Sequence, residues 1–410
     1  MALSTLSKFF TAQESRNLQS MYSTGELEAV ILQIKSRSNN LDKMELNIAV
    51  VGDVGSGKST FINAMRGVRS GDAGAAPTGN EETRMEPTRY PYQALPNVQL
   101  WDLPGTNSFG FEIKNYLKKM KFESYDFFII VSQSRFREND AELAKIIQEQ
   151  GKEFYYVRSK IDNDAHSLKM QGAELSEGWE TIHKDCISNF QTVGVTPPAI
   201  FLISSFEQGK YDFPELKSTL ARNLPSIKSN VFSVSLPKIV LEITEPKTRM
   251  LNRGIWLLTI FTGSVGAVPM LVPMPVPIPL PVPVPVSGFP FITAIGLTVA
   301  GLKYLQKQLG LSDKSLKSLA SKVGKPSSVL KAEMNRRVPR EIRPTVTTVL
   351  LGITIVACMV TGIKHSFRPV TLSIFATLSS SVFTYKLLKD SLKDHLKTVQ
   401  QLVKSVLSRD

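Results

Sequence analysis

The residues Gly52-Asp53-Val54-Gly55-Ser56-Gly57-Lys58-Ser59 form a complete G-x-x-x-x-G-K-S segment directly after the apolar run 46–51. Between a strand and a helix, this spacing cradles the phosphates of a nucleoside triphosphate. Gly52 and Gly57 let the backbone curl so that its N–H groups face phosphate oxygens, and a helix starting near Lys58 adds its positive end. Lys58 is placed to reach the β- and γ-phosphates, and the Ser59 hydroxyl to ligate Mg²⁺. The predicted nucleotide contacts are Gly52, Asp53, Gly55, Ser56, Gly57, Lys58, Ser59 and Thr60. A plain glycine turn is the alternative, but the strand before the segment and the helical apolar spacing of residues 60–65 after it argue against one.

Two further segments narrow the chemistry. The run 98–101 ends in Asp102-Leu103-Pro104-Gly105, a D-x-x-G pattern. At a strand end Asp102 can hold Mg²⁺ through water, while the Gly105 N–H meets the γ-phosphate. The run 154–157 ends in Arg158-Ser159-Lys160-Ile161-Asp162, close to the N/T-K-x-D pattern of GTP-binding folds. There the aspartate, Asp162, accepts from N1–H and the 2-amino group of guanine, and the stem of Lys160 lies along the base. Adenine has no such donor pair. Ser159 stands where Asn or Thr is usual, which predicts one weaker supporting hydrogen bond. A final run, 199–203, ends at Ser204-Ser205, which are predicted to back the guanine carbonyl.

These segments need a scaffold that delivers three loops to one edge. Residues 125–131 read as a fully buried parallel strand and 141–150 as a flanking helix, so the pattern predicts an α/β fold with a mostly parallel sheet. Residues 1–45, with helical spacing over 12–21 and 27–35, form an N-terminal helical segment. Residues 46–215 form the nucleotide-binding domain, and 216–410 a C-terminal helical domain that packs with the N-terminal segment.

The stretch from Gly52 to Asp102 resembles the immunity-related GTPases, the interferon-inducible family. The likeness is carried by Phe61-Ile62-Asn63-Ala64-Met65-Arg66-Gly67-Val68, Gly74-Ala75-Ala76-Pro77-Thr78-Gly79 and Pro96-Asn97-Val98-Gln99-Leu100-Trp101-Asp102-Leu103-Pro104-Gly105. Tyr125-Asp126-Phe127-Phe128-Ile129-Ile130 and Tyr211-Asp212-Phe213-Pro214 are similar too. Beyond the nucleotide-binding half the likeness is one of length and helical character, apart from Val234-Ser235-Leu236-Pro237. The resemblance implies a dynamin-like GTPase, a Ras-like P-loop domain on an all-helical domain. It uses GTP/GDP and Mg²⁺, assembles with itself across the nucleotide face, and acts on intracellular membranes in cell-autonomous defence. Lys58 gives the lysine form of the phosphate loop found in effector members, not the methionine form of regulatory ones.

Small GTPases follow D-x-x-G with a water-orienting glutamine, whereas here Thr106-Asn107 follow Gly105, so slow intrinsic turnover is expected. Glu82 aligns with a switch glutamate that the family is thought to use in positioning water; the competing reading makes Glu81 and Glu82 a solvated pair. Arg84 replaces a threonine, which leaves Thr78 and Thr83 as alternative Mg²⁺ ligands and offers Arg84 a role on phosphate charge. A nucleotide-dependent switch or scaffold with little turnover is therefore the rival to a hydrolysing enzyme.

With 49 Lys and Arg against 36 Asp and Glu, the formal charge is +13, which calls for an anionic partner. No RNA-binding signature or zinc-finger spacing accompanies the charge, so a membrane is expected and nucleic acid is not. Two distant cysteines, Cys186 and Cys358, fit a reducing compartment, and the expected location is cytoplasmic, partly on intracellular membranes. The N-terminus shows no secretory h-region, Ala2 removes the glycine needed for myristoylation, and the last residues hold no prenylation cysteine. Nine prolines over 269–290 predict an extended connector. The uncharged stretches 345–363 and 369–385 read as buried helices, with a bilayer hairpin as the alternative. Residues 385–407 form a basic amphipathic helix that either packs its apolar stripe or lies on an anionic membrane.

Overall fold

The structure is a computed structural model that describes residues 5–79, 86–106, 113–133, 136–172, 174–267, 288–330 and 369–407. It divides into two units, 40–234 and 1–39 with 235–410. Three helices open the chain: α1 (Thr5–Phe9), α2 (Ala12–Thr24) and α3 (Leu27–Ser38). The following unit contains β1 (Leu46–Val51), α4 (Lys58–Arg66), β2 (Thr88–Pro91), β3 (Val98–Asp102), α5 (Ile113–Lys119), β4 (Phe127–Ser132) and α6 (Glu138–Glu149). It continues with β5 (Glu153–Arg158), α7 (Ile161–Met170), α8 (Leu175–Thr192) and β6 (Ala199–Leu202). After these come α9 (Phe213–Ala267), α10 (Gly288–Gln308), α11 (Asp313–Val323) and α12 (Pro369–Leu407).

The unit 40–234 is an α/β sheet of order β2-β3-β1-β4-β5-β6, with every pairing parallel except β2 with β3. β1 and β4 are buried nearly throughout, as the unbroken apolar runs require of parallel strands covered on both faces. The antiparallel edge strand β2 escaped the sequence reading because four residues ending in a proline carry almost no strand signal. Register does the functional positioning: Val50 pairs with Asp102, and Ser132 with Arg158. The loops after β1, β3 and β5 therefore leave from the same carboxyl edge, where open α/β sheets bind ligands.

The helical segment of this unit extends well into α9. Phe213, Leu216 and Leu220 are buried, Asn223 Nδ2 donates to Tyr155 Oη at 3.1 Å, and Lys228 Nζ donates to Asp42 O at 2.7 Å. These contacts explain why the division falls inside α9, between Val234 and Ser235.

In the helical unit, one turn of α9 organises the N-terminal helices. Pro246 has no N–H to give to the Glu242 carbonyl, and Gln19 Nε2 takes up that carbonyl at 3.1 Å. The Glu242 carboxylate accepts the first N–H groups of α1, from Thr5 at 2.9 Å and Leu6 at 3.0 Å, where a negative charge suits the helix end. Lys247 is buried, donates to Tyr22 O and Gln308 O, and lies over the Tyr22 ring. Burial pushes its ammonium down to about 8.

One open alternative is decided here and one expectation changes. The basic amphipathic helix is the second half of α12, and its stripe residues Leu388, Leu392, Val399 and Val403 are buried while Lys386, Lys389, Lys393, Lys397 and Lys404 are exposed. Packing has claimed the stripe, so it is not free to lie on a membrane. The proline-rich connector was expected to reach Pro290, yet α10 begins at Gly288. Proline is tolerated there because a first helical turn asks for no donor. Residues 269–287 of that connector and the stretch 345–363 lie outside the described residues, and 369–385 is the first part of α12. Among the described residues no helix is long and apolar enough to cross a membrane.

Candidate functional site

The site grows from the turn between β1 and α4. Gly52 has φ +145°, and a Cβ there would lie 2.1 Å from Val131 O, so only glycine lets the loop pass beneath β4. Gly57, also at positive φ, caps α4 and leaves its first N–H groups facing the cavity. Lys58 is buried and its Nζ donates to Gly52 O at 3.0 Å and Asp53 O at 2.8 Å. Ser59 Oγ donates to Asp102 Oδ2 at 2.6 Å, which joins the phosphate-loop segment to the D-x-x-G segment. At Gly105 a Cβ would come within 2.6 Å of Val54, so this second glycine is also required by close approach.

The S-K-x-D segment reaches the same loop. Ser159 Oγ donates to Ser56 O at 2.6 Å, and its N–H bonds Ser132 O at 2.8 Å. The serine thus makes a short support to the phosphate loop. Lys160, at φ 57°, directs Nζ to Gly55 O at 2.8 Å and Gln133 Oε1 at 2.6 Å, and Asp162 stands in the first turn of α7. Ser204 is buried, and its Oγ accepts the N–H groups of Phe206 and Glu207 at 3.3 and 3.2 Å, which fixes the turn after β6.

A cavity of about 780 Å³ results, within the roughly 300–1,000 Å³ usual for small-molecule sites. Of the sequence candidates, Gly55, Gly57, Lys58, Ser59, Thr60, Thr78, Asp102, Gly105, Ser159, Lys160, Asp162 and Ser205 line it. Gly52, Asp53, Ser56 and Ser204 do not; they shape the loops from behind. Glu82, Thr83 and Arg84 lie outside the described residues. Thr78 is brought to the rim by Asn63 of α4, which exchanges two 2.7 Å bonds with the backbone of Ala76. Sequence reasoning missed Phe206, a wall residue that is 81% exposed; its only signal is an apolar side chain directly after a strand-end Ser-Ser.

It also missed the cluster behind the loop. The Asp53 carboxylate accepts from Thr106 Oγ1, from Arg137 Nη1 at 2.7 Å and from Asn139 Nδ2 at 3.4 Å. Burial works against the charge, but the Thr106, Asn139 and Arg137 contacts outweigh it and hold the Asp53 carboxyl below its usual range. Thr106, in the position of the absent glutamine, is therefore buried and turned onto Asp53, and does not line the cavity.

Next to this cluster, burial pushes the Asp140 carboxyl up to about 6, against the Arg137 N–H and Ser132 contacts that favour its charge. An unfolded aspartate titrates near 3.9, so between about pH 4 and pH 6 the folded chain binds the extra proton and loses stability as pH rises. Asp140→Asn is expected to raise the melting temperature at pH 8 and to give no gain at pH 4, where the native group is already neutral. Thermal melts at the two pH values check this; an equal shift at both would remove the titration from the explanation.

A family model described as Interferon-inducible GTPase (IIGP) matches residues 12–278. The chain is 39% identical over 268 residues to Interferon-gamma-inducible GTPase 10 of Mus musculus, a match covering 65% of this chain and 64% of that protein. It is 34% identical over 335 residues to Interferon-inducible GTPase 5 of Bos taurus, covering 81% of this chain and 69% of that one. To Immunity-related GTPase family M protein 1 of Mus musculus it is 36% identical over 214 residues, 52% of each chain. The match thus spans slightly less than two thirds of the first relative's length.

Proposed function

The chain belongs to the interferon-inducible GTPase family, and on that premise we propose that it binds and hydrolyses GTP, assembles with itself across its nucleotide face, and associates with intracellular membranes in interferon-induced cell-autonomous immunity. The observation that carries the nucleotide part is one cavity lined by Lys58, Ser59, Asp102 and Asp162 together. Phosphates sit against the N-terminus of α4 and Lys58, with the β- and γ-oxygens taking over the lysine's present carbonyl partners. The base lies between Ser205 and Lys160, with Asp162 accepting from its N1–H and 2-amino groups. Gly55, Gly57, Thr60, Gly105 and Ser159 also line the cavity.

Ser59 and Asp102 suit a small hard cation: a hydroxyl and a carboxylate oxygen already 2.6 Å apart form an oxygen donor set. They would hold Mg²⁺, with Thr78 or Thr83 as the switch ligand, and Mg²⁺ would neutralise charge on the phosphate oxygens. Glu82 positions the attacking water, and Arg84 acts on phosphate charge within the chain or across a dimer. The protein works in the cytoplasm, partly on membranes, and nucleic acid is not a partner.

A second reading, a GTP-dependent switch or scaffold with little turnover, is favoured by one observation: Thr106 is held by Asp53 outside the cavity. Assembly-stimulated hydrolysis predicts that GTP turnover per molecule rises with protein concentration, by about tenfold or more as dimers fill. A multiple-turnover assay across concentration and nucleotide checks it. Flat, very slow turnover supports the switch, and equal affinity for ATP and GTP removes the guanine assignment.

A further inference from the structure

Among the described residues, one end of the helical unit is without charge. After Arg253 the sequence holds no Asp, Glu, Lys, Arg or His until Lys303, and none from 369 to 385. The structure brings the described parts of these stretches to the same end. Lys247 of α9 meets Gln308 of α10, whereas a Cβ on Gly301 of α10 would lie 3.0 Å from Leu258 of α9, so the two helices run antiparallel. Likewise Gln400 of α12 reaches Pro237 O of α9 at 3.5 Å, and further along α9 the Trp256 ring meets Tyr385 edge-on at 5.7 Å. The Thr298 and Thr384 hydroxyls, 3.0 Å apart, align α10 with α12. α9 approaches this end without charge, and α10 and α12 start from it without charge over their described residues, Arg368 directly preceding α12.

The exposed side chains described at this end are apolar. Trp256, Leu257, Ile260 and Phe261 of α9 are 57%, 69%, 59% and 55% exposed, and Val382 of α12 is 66% exposed. Moving away from the tip, the first charge on every helix is positive: Arg253 on α9, Lys303 on α10 and Lys386 on α12, all exposed. Tyr304 and Tyr385 lie at that level, and Lys389 Nζ bonds the Tyr385 hydroxyl at 3.2 Å. An apolar tip bounded by a collar of basic and tyrosine side chains matches the step in a bilayer leaflet from acyl chains to interface and anionic headgroups.

We propose that this end of the helical unit seats the protein on an anionic lipid bilayer, with the α9 side chains entering one leaflet and the collar meeting headgroup phosphates and carboxylates. The inference rests on the membrane association proposed above and names its surface. The charge of the collar selects lipid over a second copy of this chain, whose equivalent tip would bring like charges together. Insertion into one leaflet is also what helices too short or too polar to cross can do.

The test is flotation of the full chain, GDP-loaded and GTP-loaded, with vesicles of phosphatidylcholine alone or with added phosphatidylserine. Wild type is expected to float with the anionic vesicles. Leu257→Asp with Ile260→Asp, and separately Arg253→Glu with Lys386→Glu, are expected to lower binding by about tenfold or more while GDP affinity and melting temperature stay unchanged. A chain whose only tryptophan is Trp256, made by Trp101→Phe and Trp179→Phe, is expected to be quenched by brominated acyl chains. If both paired variants float like wild type, this surface is wrong and the membrane reading stands. If wild type itself does not float, both fall. If the variants change the elution volume and leave flotation intact, the tip joins copies of the chain, and the lipid proposal is overturned.

Discussion

Lys58→Ala is expected to weaken GDP and GTP binding by at least about 100-fold, equivalent to roughly 3 kcal/mol. The size follows from where the ammonium stands. Lys58 is buried against its own loop, and its ammonium donates to the carbonyls of Gly52 and Asp53. An anion entering the cavity gains a fixed positive charge already stripped of water, and charge-assisted bonds of that kind contribute about 1.5–3 kcal/mol each. Alanine removes them and leaves two loop carbonyls without their donor, so the nucleotide-free variant also melts somewhat lower. Titration with a fluorescent GDP analogue reads the affinity, and a melt without nucleotide separates lost binding from a damaged loop. Unchanged affinity in a folded variant would mean that Lys58 does not face phosphate.

The phosphate loop was legible because its chemistry is local. The glycines, Lys58 and Ser59 sit within eight residues, and the strand before them is an unbroken apolar run. The order of the three motifs was also enough to predict their convergence, since consecutive parallel strands present their loops at one edge. The support behind the loop was hidden because it is assembled from distant positions. Asp53 meets Arg137, 84 residues later, and Ser159 meets Ser56, 103 residues earlier. The fate of Thr106 was equally illegible: an absent glutamine is visible in sequence, whereas the turn of its replacement onto Asp53 is a tertiary choice. In the helical unit, spacing showed an amphipathic helix at 385–407 but could not tell which surface its stripe covers. A packed stripe and a lipid-facing one obey the same period, and only the burial of Leu388, Leu392, Val399 and Val403 decides.

Asp162→Asn is expected to exchange guanine for xanthine, with GDP affinity falling roughly 100-fold and xanthosine diphosphate affinity rising enough to reverse the preference. Guanine offers two donors on one edge, N1–H and the 2-amino group, and a carboxylate accepts both. Xanthine carries a carbonyl at position 2, which the carboxylate repels and the amide N–H of asparagine meets. The prediction is sharp because the surroundings hold the position still. Ser159 is pinned to the phosphate loop and to β4, Lys160 is bonded to Gly55 and Gln133, and Asp162 follows in the first turn of α7, where a negative charge also suits the helix end. An asparagine there keeps the shape and loses only the charge and one acceptor, so the loss falls on the base and not on the fold. Competition of GDP, xanthosine diphosphate and ADP against one fluorescent probe measures the order of preference in both proteins. A variant that still prefers GDP would place the base elsewhere in the cavity, with Ser205 and the exposed Phe206 as the walls to examine next.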